Sequence, residues 1–142
     1  MLPLLQLVAT FCTAVFAGAA IYINLVEHPA RMSCGTPAAL AQWAPSYRRA
    51  TRMQAPLALV AFLTAVSAWA MGAGMAWLIA GVLIGAVIPF TLIVIKPTND
   101  RLLAPDRDGA TADTGQLLAR WARLHAVRSG LSLVALIILL WR

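Results

Sequence analysis

Ile23-Asn24-Leu25-Val26-Glu27-His28-Pro29 closes a run that begins at Leu2 and carries almost nothing polar. A run of this length can cross a bilayer as a helix, because about 20 residues rising 1.5 Å each cover the hydrocarbon. At its end a carboxamide, a carboxylate and an imidazole appear within five positions. Residues three and four apart share a helix face, so Asn24, Glu27 and His28 point the same way. Pro29 disfavours helical geometry in the residue before it, which predicts that the helix ends around Glu27 or His28. The segment is therefore a membrane span with a polar cluster at one end.

Three further apolar runs follow, over 55–71, 75–95 and 126–141. The chain of 142 residues is 61% hydrophobic and 11% charged, with a mean hydropathy of +0.81. A core of this size cannot hide so much apolar surface, so lipid must cover the remainder. Pro45 suits the first turn of the second helix, which is expected to begin near Ser46. Thr114 is the expected cap of the fourth. The expectation is an all-α, four-helix transmembrane bundle, antiparallel and up-down, with the second and fourth helices extended beyond the membrane. A single domain fills residues 1–142, with spans of about 2–27, 46–71, 75–95 and 116–141 and a surface loop over 97–115.

Charge gives the orientation. Ten of the eleven basic residues fall in or beside the two long connections, and Arg142 alone falls at the other side. The net charge of +6 thus fits membrane topology and anionic headgroups, and no nucleic acid partner is expected. The positive-inside rule predicts an integral inner- or plasma-membrane protein with charged loops in the cytoplasm and both termini outside. The first run lacks a basic leader and continues to Val26, so it reads as an uncleaved span rather than a signal peptide. Arg31, Arg49, Arg52, Arg120 and Arg123 read as membrane-surface charges, and Trp43, Trp77 and Trp141 as interfacial belt residues. Gly72-Ala73-Gly74 reads as a tight hairpin. Gly81-x-x-x-Gly85 lets helix backbones approach closely and reads as packing within the bundle; small-residue faces also leave room for a larger membrane complex, and a homo-oligomer is a further partner to consider. Cys12 and Cys34 form no Cys-x-x-Cys pair and read as free thiols.

The four polar helix ends meet on the charged side. The first supplies Asn24, Glu27 and His28. The second supplies Tyr47, Thr51 and Gln54 on one face. The third supplies Thr91 and, at its exit, Lys96 and Asn99. The fourth supplies Trp121, His125, Arg128 and Ser132. The two histidines are the only ones in the chain, and ionisable groups at membrane depth tend to be functional. Three chemistries fit these residue types. An imidazole can take a proton from an acidic C–H or a phenol, with Arg128 or Lys96 holding the oxyanion. His28, His125 and Glu27 make a two-histidine, one-carboxylate metal set. The two histidines can also ligate a haem between the first and fourth helices. Asn24, Glu27, Tyr47, Gln54, Thr91 and Trp121 are the remaining candidates, as substrate contacts around this mouth.

Asn24 with His28-Pro29, Trp43 and Tyr47, Met53-Gln54-Ala55, Pro89-Phe90-Thr91, Pro97-Thr98-Asn99 with Leu102, and Trp121-x-x-Leu124-His125-x-x-Arg128 resemble the anthrone oxygenase-like family of small four-helix membrane proteins. The resemblance covers nearly the whole chain. It implies a membrane-embedded oxygenase, a monooxygenase-like oxidoreductase acting on a lipophilic anthrone- or phenol-like substrate with dioxygen and without a cofactor. It implies His125 or His28 as base, Arg128 with Asn99 as oxyanion partner, and Trp121, Tyr47 and Phe90 as walls. The other readings are a non-enzymatic membrane protein that binds a lipid, metal or haem, and an accessory subunit of a membrane complex.

Overall fold

A computed structural model describes residues 1–141. Four long helices fill it: α1 (Leu2–Ser33), α2 (Thr36–Ala73), α3 (Met75–Leu102) and α4 (Ala112–Trp141). All four are long and apolar enough to cross a membrane. They pack in a square antiparallel bundle in which α1 touches α2 and α4, and α3 touches α2 and α4. Large apolar side chains such as Leu4, Leu7, Phe11, Leu25, Ile93 and Leu140 point outward. In water such a surface would drive association, and in a bilayer it is the lipid-facing ring.

The half of the bundle remote from the charged loops is a dry core. In α2, Ala58, Ala61, Ala65 and Ala68 recur every three or four residues and bring α1 and α3 close. A Cβ on Gly85 would stand 2.7 Å from the Phe62 ring, and one on Gly81 would stand 3.2 Å from Ala65 Cβ. The small-x-x-x-small motif of α3 is thus spent on the α2 contact. The α2–α3 hairpin turns on Gly72 and Gly74, at φ of 88° and 101°, where an L side chain would be strained.

Both histidine-bearing and loop-proximal ends depart from the expected boundaries. α1 does not stop at Glu27 or His28 but runs through Pro29 to Ser33, by way of a π-turn at Ile23–Glu27. The His28 N–H bonds five residues back to Ile23. This widened turn takes the carbonyl of Leu25 away from the Pro29 ring, which would otherwise clash with it. The same device recurs in α3, where a π-turn at Thr91–Ile95 precedes Lys96-Pro97 and the helix continues to Leu102. α2 begins ten residues earlier than Ser46, at Thr36, after Gly35 turns the chain at φ 86°. Pro45 is therefore interior, as is Pro56. The carbonyls they leave without a helical donor belong to Ala41 and Arg52, both on the exposed side. The irregular loop shrinks to 103–111, and α4 is capped by Thr111, whose Oγ1 accepts from the Thr114 N–H at 3.3 Å. Thr114 instead donates to the Asp108 carbonyl at 2.6 Å.

Three side chains leave the membrane-surface roles expected of them. Trp43 and Trp77 are fully enclosed in the bundle, while Trp141 is 88% exposed. Arg31 is buried, because α1 continues past Pro29 and turns it inward toward α2. Arg48, Arg49, Arg52, Arg120 and Arg123 remain exposed.

Candidate active site

The helix ends nearest the charged loops converge on His125. Asn24 Nδ2 donates to the Ala122 carbonyl at 3.0 Å, which fixes the amide so that Oδ1 faces α4. That oxygen accepts from Ser129 Oγ at 2.6 Å and lies 2.6 Å from His125 Nδ1. Turning the amide over would set two oxygens against each other at Ala122, so Nδ1 is the donor. In the neutral imidazole the lone pair then belongs to Nε2. Asn24 thus fixes the His125 ring with Nε2 as its free acceptor, at an α1–α4 contact between residues 101 apart in the sequence.

An aromatic wall stands behind it. Trp121 stacks on His125 with ring centroids 4.8 Å apart and lies against His28 at 5.3 Å. Trp43 stands edge-on to Trp121 at 5.7 Å and stacks on Tyr47 at 5.1 Å. Asn99 Nδ2 donates to Tyr47 Oη at 3.1 Å, so Asn99 meets the site through the phenol and not directly.

Arg128 lies one turn beyond His125. It donates from Nη2 to Gln54 Oε1 at 2.8 Å and covers the Phe16 ring at 5.4 Å. Among the described residues no carboxylate lies within ion-pair distance of it. The one acid on α1 is committed elsewhere. Glu27 Oε1 accepts from Arg31, from Ser46 Oγ at 2.6 Å and from Gln42 Nε2 at 3.0 Å, clamping α1 to α2. Lys96 pairs with Asp100 on the surface at 2.6 Å.

Two spaces border Arg128, while a wider groove of about 490 Å³ runs past Glu27, Gln42, Ser46 and Gln54 between α1 and α2. A void of about 10 Å³, the size of one water, is lined by Tyr47, Gln54, Trp121, His125, Arg128 and Arg31 among others. A slot of about 130 Å³ lies beside it, between α2 and α3. Its walls are Phe16, Ala55, Ala58, Val87, Ile88 and Leu92, and Tyr47, Thr51, Gln54, Thr91 and Arg128 supply its polar atoms. Thr91 Oγ1 already bonds the Val87 carbonyl, at 2.6 Å.

The structure therefore brings Asn24, His125, Arg128, Gln54, Tyr47 and Trp121 into one cluster and puts Thr91 in the adjoining slot. His28 is buried against Trp121 but lines neither space. The conditional metal set of His28, His125 and Glu27 is not assembled. Among the described residues no three His, Cys, Asp or Glu side chains gather as ligands. Glu27 Oε1 is taken by Arg31, Gln42 and Ser46 on the side facing α2, and His125 Nδ1 is held by Asn24. Nor do the histidines flank a space for haem, since Trp121 lies against both rings. Four participants were not among the expected site residues: Ser129 and Phe16 were not singled out, and Trp43 and Arg31 were expected at the membrane surface. Ser129 lies four residues after His125 and Trp43 four before Tyr47, so helical spacing marks both. Arg31 was hidden by the expected helix end at Pro29. Nothing in the sequence marks Phe16.

The profile of the family described as "Anthrone oxygenase" matches residues 43–138, which contain Trp43, Tyr47, Gln54, Trp121, His125 and Arg128. The chain belongs to the anthrone oxygenase family. Among its relatives, an anthrone oxygenase of Cryptosporiopsis sp. is 30% identical over 138 residues, covering 92% of this chain and 80% of that protein. One of Pestalotiopsis fici is 36% identical over 115 residues, covering 70% and 80%. One of Aspergillus fumigatus is 44% identical over 61 residues, covering 41% and 38%. No solved structure matches the chain. Asn24 and His28 lie outside the span of the family profile but within the stretch aligned to the Cryptosporiopsis relative, which covers 92% of this chain.

Proposed function

We propose that this protein is a membrane-embedded oxygenase that converts a lipophilic anthrone-type substrate to the quinone with dioxygen, His125 acting as the base. The observation that carries the reading is the Asn24-oriented imidazole beside a cation that has no carboxylate of its own. An anthrone has a methylene acidified by two rings and a para-linked carbonyl. The imidazole takes one methylene proton, and the electron pair passes into the ring system as an enolate. That electron-rich carbon forms a C–O bond to O₂, and the proton completes a hydroperoxide. Loss of water, with the second methylene hydrogen, leaves the new carbonyl. The sum is one CH₂ and one O₂ giving one C=O and one H₂O, with dioxygen as the sole oxidant. The protein supplies a base, charge stabilisation and an apolar enclosure. The distribution of basic residues supports an orientation with the charged loops in the cytoplasm and both termini outside.

The test is quinone formation from 1,8-dihydroxyanthrone under air, with purified protein in nanodiscs. Wild type is expected to exceed protein-free autoxidation with one O₂ consumed per quinone, and His125→Ala to fall to the background rate. A wild type no faster than autoxidation removes the oxygenase reading. A Soret band or stoichiometric metal in active protein would replace the cofactor-free route.

A further inference from the structure

Two buried donors at the slot have no acceptor. Gln54 Nε2 and Arg128 Nε are enclosed and without a hydrogen-bond partner among the described residues. Gln54 is only 2% exposed. Both orphans are N–H groups, both belong to one hydrogen-bonded pair, and both side chains line the slot and the void beside His125. An unpaired donor buried at membrane depth costs several kcal/mol, so the arrangement calls for an occupant that accepts. The cation asks for that acceptor to be negative, since among the described residues its hydrogen bond goes to a neutral carboxamide and its face covers the Phe16 ring. The remaining walls carry no charge: Phe16, Ala55, Ala58, Val87, Ile88 and Leu92 are apolar, and Tyr47, Thr51 and Thr91 add neutral hydroxyls. A slot of about 130 Å³ is near the roughly 150 Å³ of a protein cavity that holds benzene. It therefore takes a single aromatic ring. Thr51, Ala55 and Leu92 at its rim are exposed on the outer surface of the bundle, so the slot opens sideways into lipid.

We propose that Gln54 and Arg128 form an anion subsite for the oxygen of one ring, a phenolate or enolate oxygen, on an aromatic ligand that enters from the bilayer between α2 and α3. Small rotations of the two side chains turn the enclosed Arg128 Nε and Gln54 Nε2 toward the slot, where they donate to that oxygen, while the rest of the ring system extends toward the lipid. Because the pair also borders the void, the bound oxygen comes to rest at the boundary with His125. This subsite deepens the oxygenase reading and rests on it for the identity of the ligand, but its binding is measured without turnover.

The probes are 1,8-dihydroxyanthraquinone, which carries acidic ring oxygens and undergoes no further oxidation here, and anthracene, which has none. Wild type in nanodiscs is expected to bind the hydroxyquinone at least tenfold more tightly than anthracene, as fits a charge-assisted hydrogen bond. Gln54→Leu is expected to lose about tenfold for the hydroxyquinone and nothing for anthracene. Gln54→Glu gives Arg128 an acid of its own. It is expected to keep or raise the melting temperature and to lose the hydroxyquinone preference, so a folding failure of the first variant leaves the question decidable. Ala55→Phe at the rim is expected to weaken both probes. Equal binding of both probes to wild type overturns the subsite, as does a folded Gln54→Glu protein that retains the preference. A wild type that binds selectively yet oxidises no anthrone rejects the oxygenase reading and leaves the subsite standing.

Discussion

Asn24 does more for the site than its place at a span's end suggests. Its single amide ties the Ala122 carbonyl, the Ser129 hydroxyl and the His125 ring. Asn24→Ala leaves His125 Nδ1 without its partner and leaves Ser129 Oγ with only its 3.4 Å bond to the His125 carbonyl, and a loss of about 1–3 kcal/mol in stability follows. Anthrone oxidation should fall at least tenfold with it, because the imidazole loses its fixed orientation. Thermal unfolding and quinone yield on the same preparation check both effects. Glu27 is expected to behave differently. Its carboxylate closes the α1–α2 clamp with Arg31, Ser46 and Gln42, so Glu27→Gln should lower the melting temperature and leave kcat within about twofold. A collapse of kcat with unchanged stability would return Glu27 to the chemistry. At this scale the sequence told only part of the story. Polar spacing on α2 and α4 picks out Tyr47, Gln54, Trp121, His125 and Arg128, because helical phase is a local property. Which of Asn24, Glu27 and His28 faces the base is not local. It depends on the turn through which α1 passes, and Glu27 and His28 part company there.

Among the elements, α2 and α3 are held by fit. Gly85 faces the Phe62 ring with no room for a methyl group, so Gly85→Ala is expected to cost about 1–3 kcal/mol. Phe62→Leu in the same chain should recover most of that loss, since the two positions share one contact. Denaturant titration of the single and double variants measures the coupling. An additive pair would place the clash elsewhere. The four apolar runs and the Gly72–Gly74 hairpin are legible without a structure, because length and hydropathy dictate spans. The helix ends are not. Pro29, Pro45 and Pro97 read as boundaries, yet each lies inside a helix that continues through it. Proline states which carbonyl loses its donor, and only the surroundings decide whether water or a wider turn makes up for it.

For the whole molecule, the charge asymmetry carries a topological prediction. With Cys12 and Cys34 replaced by alanine, Asp108→Cys should react with a membrane-permeant maleimide and resist an impermeant one in intact cells. Labelling by the impermeant reagent would invert the molecule. The bundle also has an internal asymmetry. α1 and α3, at opposite corners of the square, each carry one π-turn at the same end, while α2 and α4 run through that level as α-helix. A π-turn is one residue more than the α-helix it interrupts, and one residue turns everything beyond it by about 100°. The extra residue in α1 therefore sets the phase of His28 and Arg31 against Asn24, and that in α3 sets Asn99 against Thr91. Chain length becomes a coordinate of the site. Deleting Leu25 would remove the extra residue, set the Pro29 ring against the carbonyl four residues before it and swing His28 and Arg31 away from their partners, whereas a one-residue deletion in 103–111 would be absorbed by the loop.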